Sequence, residues 1–270
     1  MYNNINGYVS KKESLANSVE CSDPDIIALC ETKKAGRISE EELSAYKTIE
    51  KNLKRGKEGI LLGVRKGTFD TMKEITDTEL KNLLTVKIVY PLVNLRIIIV
   101  HAPQETDSQD KRLEFFEELS VQVERGLTSG DELLVVGDLN ARIGMDSNGK
   151  VIPESTSPNG KQLCELIERH SLKVGNFHQS CSGKWTRIQP QKDGSIKKSA
   201  LDYVLMPANM HQALKSFVID EDKIYCPFRE ITTKGRKHIV YSDHCVMTAD
   251  IELNVGHVRK IKKSLWLEIL

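Results

Sequence analysis

Leu133-Leu134-Val135-Val136 is the run that most restricts what this chain can become. Four apolar residues in a row read as a strand covered on both faces, because a strand with one wet face alternates apolar with polar. Such a strand needs a layer of structure on either side. Ile26-Ile27-Ala28-Leu29-Cys30 and Leu95-Arg96-Ile97-Ile98-Ile99-Val100 have the same character. Stretches 59–64 and 83–89 are also strand-like, and the turn at 91–94 can join 83–89 to 95–100 as a hairpin. Further strands are expected at 173–177, 184–188, 200–206 and 245–252.

Helical spacing is clearest over 107–125, where Leu113, Phe116, Leu119 and Val123 recur on one face and Gly126 stands at the expected C-terminal cap. A second helix is expected over 11–20, with Leu15, Ala16 and Val19 inward and Pro24 ending it. Shorter ones are expected at 40–46 and 162–170. Asn-rich residues 1–8 read as a turn that closes a strand cut short at its start. Residues 37–57 and 144–160 read as loops, 189–199 as a basic turn with Lys192, Lys197 and Lys198, and 207–240 as short mixed elements. Many strands with a few helices predict a two-layer sheet core flanked by helices. No domain boundary stands out before about residue 253, beyond which Arg259, Lys260, Lys262 and Lys263 mark a basic tail.

Thirty-nine basic side chains against 38 acidic leave a net charge of +1, so a nucleic-acid partner would need a local groove rather than bulk charge. The six cysteines include no CxxC pair, which argues against a zinc site or disulfide scaffold and for a reducing compartment. No apolar run approaches the roughly 20 residues of a membrane span, and the amino terminus has no apolar signal region. The chain reads as a soluble intracellular protein of the nucleus or cytoplasm, with no membrane partner.

Polar residues gather where the apolar runs end. Gly137 stops the central run, and Asp138 and Asn140 follow with the i, i+2 spacing that puts two side chains on one strand face. One offers a carboxylate for a metal or a proton, the other an amide that can donate to an anion. Glu31, Asp202, Asp243 and His244 occupy similar positions. Singly, each reads as a turn former or helix cap. Together they describe a site for phosphate chemistry. His170, His178, His211, His238 and His257 lack ligand spacing and read as surface or packing residues. Trp185 suits either the core or a base stack.

Asn4-Ile5-Asn6-Gly7, Cys30-Glu31-Thr32, Gly137-Asp138-Leu139-Asn140, Leu201-Asp202-Tyr203 and Ser242-Asp243-His244 occur in the order found in the endonuclease/exonuclease/phosphatase superfamily. The chain resembles that superfamily over about residues 4–252. Within it, the text is most similar to the apurinic-type endonuclease domain of LINE-type non-LTR retrotransposons and to the short craniofacial development protein 2-like relatives. The resemblance implies an α/β fold, a DNase I-like four-layer sandwich of two packed mixed β-sheets flanked by helices. It also implies hydrolysis of phosphodiesters with Mg²⁺, or Mn²⁺ as an alternative. The implied partner is a DNA substrate, the implied state a monomer, and a full-length element would add a reverse transcriptase.

By the same resemblance, Glu31 would hold the cation with Asn4 and Asp243 nearby. Asp138 would orient or deprotonate water, and Asn140 would donate to a phosphate oxygen. His244, steadied by Asp202, would give a second donor, and Thr186 would contact phosphate beside Trp185. Three features depart from the pattern: the clipped first strand, His101 where relatives carry tyrosine in Tyr-Ala-Pro, and Arg187 where an aromatic commonly follows the threonine. His101 can still donate to phosphate. A lipid or nucleotide phosphatase of the same fold, or an inactive DNA-binding fragment of a retroelement, are the alternative readings.

Overall fold

The apolar runs become the inner strands of two sheets. The computed structural model describes residues 1–34, 36, 38, 42–51, 58–144, 155–191, 193–224, 229–233, 236–240 and 242–256. In chain order the strands are β1 (Tyr2–Asn4), β2 (Ile26–Cys30), β3 (Tyr46–Lys51), β4 (Ile60–Arg65), β5 (Thr71–Ile75), β6 (Leu83–Val89), β7 (Asn94–His101), β8 (Glu132–Asp138), β9 (Lys173–Val174), β10 (Cys181–Ser182), β11 (Arg187–Pro190), β12 (Ile196–Ser199), β13 (Asp202–Met206), β14 (Leu214–Ile219), β15 (Arg229–Thr233), β16 (Arg236–Val240) and β17 (Met247–Ile251). The helices are α1 (Tyr8–Ser22), α2 (Gln109–Thr128), α3 (Pro158–Arg169) and α4 (Ala208–Gln212).

Among the described residues one sheet runs β10-β14-β17-β1-β2-β4-β3 and the other β5-β6-β7-β8-β13-β9, and β11-β12 and β15-β16 form separate hairpins. Both sheets are mixed: β1 lies parallel to β2, and β7 parallel to β8, among antiparallel neighbours. Three apolar layers explain the unbroken runs. Ala28, Cys30, Ile97, Ile99, Val136 and Val204 face the other sheet. Their neighbours Ile98, Val100, Leu133, Val135 and Leu205 turn outward to meet Phe115, Phe116, Leu119 and Val123 of α2 and Leu163 and Leu166 of α3. On the opposite outer face Ile27 and Leu29 pack with Tyr8 and Leu15 of α1. The result is the DNase I-like α/β/β/α sandwich, and alternate strand residues are buried on both faces because each face has its own cover.

Several sequence expectations are corrected. Gly126 sits inside α2, whose cap is Ser129. A Cβ on Gly126 would come within 2.8 Å of Leu133 Cδ1, so this glycine lets the helix lie close on β8 instead of ending it. Ala16 is exposed, and α1 buries Tyr8, Lys11, Ser14, Leu15 and Ser18. Residues 1–8 hold the strand β1, paired on both sides, rather than only a turn. Tyr46–Lys51 is a strand and not loop or helix. The strand expected over 173–177 stops at Val174 and becomes a 3-10 turn, the one expected at 184–188 begins at Arg187, and the basic turn 189–199 is mostly a hairpin. Lys192 and the tail residues 257–270 lie outside the described residues, while Leu253 and Val255 pack against the inter-sheet core. No helix among the described residues is long and apolar enough to cross a membrane.

Candidate active site

The parallel pairs β1–β2 and β7–β8 put four strand ends at one end of the sandwich. Asn4 closes β1, Glu31 follows β2, His101 closes β7 and Asp138 closes β8. Register adds the rest: Asn4 pairs with Cys30, and Asp138 is flanked by His101 on one side and Asp202 on the other. The carboxyl ends of parallel strands are where α/β sheets gather ligand groups.

Asn4 is the hub between the sheets. Its buried amide Nδ2 donates to Glu31 Oε1 at 2.9 Å and to Asp138 Oδ2 at 3.0 Å. Asp138 Oδ1 accepts from the backbone N–H of Asn140 at 2.9 Å. Across the site His244 Nδ1 lies 2.8 Å from Asp202 Oδ2, and its Nε2 lies 3.7 Å from Asp138 Oδ2. His101 Nε2 stands 3.5 Å from Glu31 Oε1, and the Lys33 ammonium 2.6 Å from Glu31 Oε2. Glu31 and Asn140 both have positive φ, at 52° and 43°. Each turns the chain sharply just past its strand, so Asn140 leaves the strand face and its amide Nδ2 donates to the Ala102 carbonyl at 2.8 Å.

Electrostatics follow from burial. Burial and the nearby Asp202 carboxylate raise the pKa of Asp138 despite His244 and His101. Burial opposes charge on His244, yet Asp202 and Asp138 overcome it and hold its pKa up at about 9. For Glu31, burial is outweighed by His101, Lys33 and Asn4, and its pKa is lowered.

Other expected site residues lie differently. Thr186 is fully buried, and its hydroxyl accepts the backbone N–H groups of Leu201 and Asp202 at 2.9 and 3.0 Å. It therefore positions Asp202 from behind. Trp185 packs against the inter-sheet core, with its own N–H backbone group on Glu221. Arg187 Nε donates to Asp243 Oδ2 at 2.6 Å, which draws the Asp243 carboxylate to the hairpin side, and Asp243 Oδ1 is buried without a partner.

Sequence reasoning missed three supports. The Tyr2 hydroxyl donates to Asp202 Oδ1 at 2.9 Å and ties one sheet to the other. Its i, i+2 relation to Asn4 was the available signal. Lys33 follows Glu31 by the same interval. Lys223 is buried and donates from below to the carbonyls of Ser242 and His244 at 3.0 and 2.6 Å, and nothing in the sequence marks it.

Donor atoms of Glu31, His101 and Asp138 all lie within 4.8 Å of one another, as do those of Asp138, Asp202 and His244. Carboxylate oxygens are the donors a hard divalent cation prefers. Burial first, and the neighbouring Asp202 carboxylate second, make a bare charge on Asp138 costly, and a bound cation would offset that cost. A divalent cation held by Glu31 and Asp138, with Asn4 between them, fits that need. Asp243 belongs to neither group of donors.

The sequence profile of the Endonuclease/Exonuclease/phosphatase family matches residues 4–244. No curated protein matches the chain significantly. Among solved structures, the chain is similar to a 3'-5' exonuclease (NExo) from Neisseria meningitidis, with TM-score 0.70 and 16% identity over 93% of this chain and 98% of that one. An AP endonuclease from Archaeoglobus fulgidus gives 0.68 and 14% over 93% and 98%. The endonuclease domain of TRAS1, a telomere-specific non-LTR retrotransposon, gives 0.63 and 16% over 90% and 93%. At these identities the likeness is one of fold.

Proposed function

Because the chain belongs to the Endonuclease/Exonuclease/phosphatase family, we propose that it is a Mg²⁺-dependent phosphodiesterase that nicks DNA, of the kind carried by non-LTR retrotransposons. The observation that carries this reading is the meeting of Asn4, Glu31, Asp138, Asp202 and His244 at one end of the sandwich, from positions spread over the chain. When bound, the cation supplies positive charge to the phosphate oxygens and draws in the water. Glu31 and Asp138 would hold it, with Mn²⁺ an alternative.

The remaining roles belong to the chain's own groups. Asp138, at the end of β8 between His101 and Asp202, would orient the attacking water or take its proton. His244 keeps its proton to about pH 9 because Asp202 faces Nδ1, which leaves Nε2 to donate to the phosphate as charge builds there. Asn140 spends one amide N–H on Ala102, and an amide has two. Thr186 and Tyr2 fix Asp202, and through it the imidazole. The TRAS1 domain shares the fold, and the resemblance of the sequence to LINE-type endonuclease domains supports a retroelement origin.

One observation favours a second reading. The Neisseria relative is also described as a 3' phosphatase, bound to a product DNA hairpin, so the same scaffold serves monoester chemistry at a DNA end. A substrate panel separates the two.

The test is nicking of supercoiled plasmid in Mg²⁺ by purified protein. Glu31→Gln and His244→Ala are expected to lower the rate by about 10²-fold or more. Undiminished nicking by both variants would end the proposal.

A further inference from the structure

We infer that His101 is a direct nitrogen ligand to the cation, so that the Mg²⁺ site proposed above holds a borderline transition cation more tightly still. The inference rests on the hydrolase reading above and adds to it the chemical class of the ion.

The register comes first. In the parallel pair β7–β8, His101 sits opposite Asp138, at the last rung of the ladder. Its backbone is clamped in both directions: its N–H donates to the Asn82 carbonyl at 2.9 Å, and its carbonyl accepts from Asn82 Nδ2 at 2.9 Å. The imidazole thus grows from a fixed root, and its side chain is only 13% exposed. Fixed roots favour metal ligation because little ordering remains to be done on binding.

Distances decide between a ligand and a simple hydrogen bond. His101 Nε2 is 3.5 Å from Glu31 Oε1, long for an N–H···O contact. Two donors held about 2.1 Å from a common ion stand about 3.0–3.4 Å apart, the edge of its coordination polyhedron. The 3.5 Å gap is close to that edge. Glu31 Oε2 is taken by Lys33 at 2.6 Å, and Oε1, which accepts from Asn4 Nδ2 at 2.9 Å and has a second lone pair, is the oxygen nearest the imidazole. Glu31, His101 and Asp138 offer one donor atom each within 4.8 Å of one another, a mixed nitrogen and oxygen set.

His244 is the rival imidazole. Its Nδ1 is committed to Asp202 at 2.8 Å, and Asp202 in turn is held by Tyr2 and Thr186. That ring is fixed as a partner of Asp202, whereas the nearest charged partner of His101 is the Glu31 oxygen on the cation side. Mg²⁺ prefers oxygen and keeps several waters, whereas an imidazole raises affinity for later first-row ions. A nitrogen among these carboxylates should therefore tilt selection away from Mg²⁺.

Metal-stripped protein titrated calorimetrically with Co²⁺ alone and with Mg²⁺ alone gives the ratio of the two affinities. That ratio is expected to fall about tenfold or more in His101→Gln, which keeps an oxygen donor and loses the nitrogen. Spin-echo spectra of the Mn²⁺-loaded protein should show nitrogen coupling that disappears in His101→Gln and survives in His244→Gln. His101→Leu, checked for a native melting transition, serves if the glutamine variant does not fold. An unchanged Co²⁺/Mg²⁺ ratio, or coupling that follows His244, overturns the role of His101 while leaving the hydrolase reading standing. Failure of the unaltered protein to bind any of the three cations overturns both.

Discussion

His244 shows how one side chain is set by its neighbours. Burial alone would drive an imidazole to shed its proton, but two carboxylates face it and hold its pKa at about 9. A pKa raised above the ordinary 6.5 stabilises the fold fully below about pH 6.5, and that contribution is lost as pH rises through about 9. In Asp202→Asn, the His244 pKa of metal-free protein, followed by NMR, should drop to or below the ordinary imidazole value. The loss of stability between about pH 6.5 and 9 should shrink with it. A resonance still titrating near pH 9 would show that Asp202 is not the group responsible. At this scale the sequence was informative: an acid, an amide and an imidazole ending apolar runs are unusual enough to be noticed. It was silent on Lys223, because a lysine that donates to two carbonyls far along the chain looks locally like any surface lysine.

Elements bring these residues within reach, and the closest approach is between β7 and β8. A Cβ on Gly137 would lie 1.9 Å from the Val100 carbonyl oxygen, so only glycine lets Asp138 draw level with His101. Gly137→Ala should cost about 3 kcal/mol or more in chemical denaturation, since the obstacle is backbone and cannot rotate away. A cost within about 0.5 kcal/mol would mean the strands can separate freely. The inner strands were legible because burial on both faces leaves an unbroken apolar run. The edge strands were not. Tyr46–Lys51 and Thr71–Ile75 carry lysine, glutamate and threonine with only one well-buried residue each, and they owe their pairing to β4 and β6. Gly126 misled for a related reason: a helix cap and a close helix–sheet contact both call for glycine, and only the packing partner tells them apart.

At the scale of the whole molecule, the site is divided between the sheets. Asn4 and Glu31 come from one, Asp138 and Asp202 from the other, and the two halves meet through the Asn4 amide and the Tyr2 hydroxyl. A cation gripped from both sides would bind only the assembled sandwich, so it should raise the melting temperature by an amount that grows with the logarithm of its concentration. At about 100 times its dissociation constant the gain is about 2.7 kcal/mol. Chelation should reverse the gain, and Glu31→Gln should abolish it. An identical melt with and without cation would place the ion outside the inter-sheet cluster. The last feature joins the polypeptide's opposite reaches: the Ser242 hydroxyl donates to the Asn4 carbonyl at 2.6 Å, across 238 residues of sequence. Closing so long a loop is slow, and no shorter piece of the chain contains both sides of the contact. While the protein is still being synthesised it can hold no finished reaction centre. Asn4 and His244 can share one site only after translation has passed His244 and the two reaches have found each other.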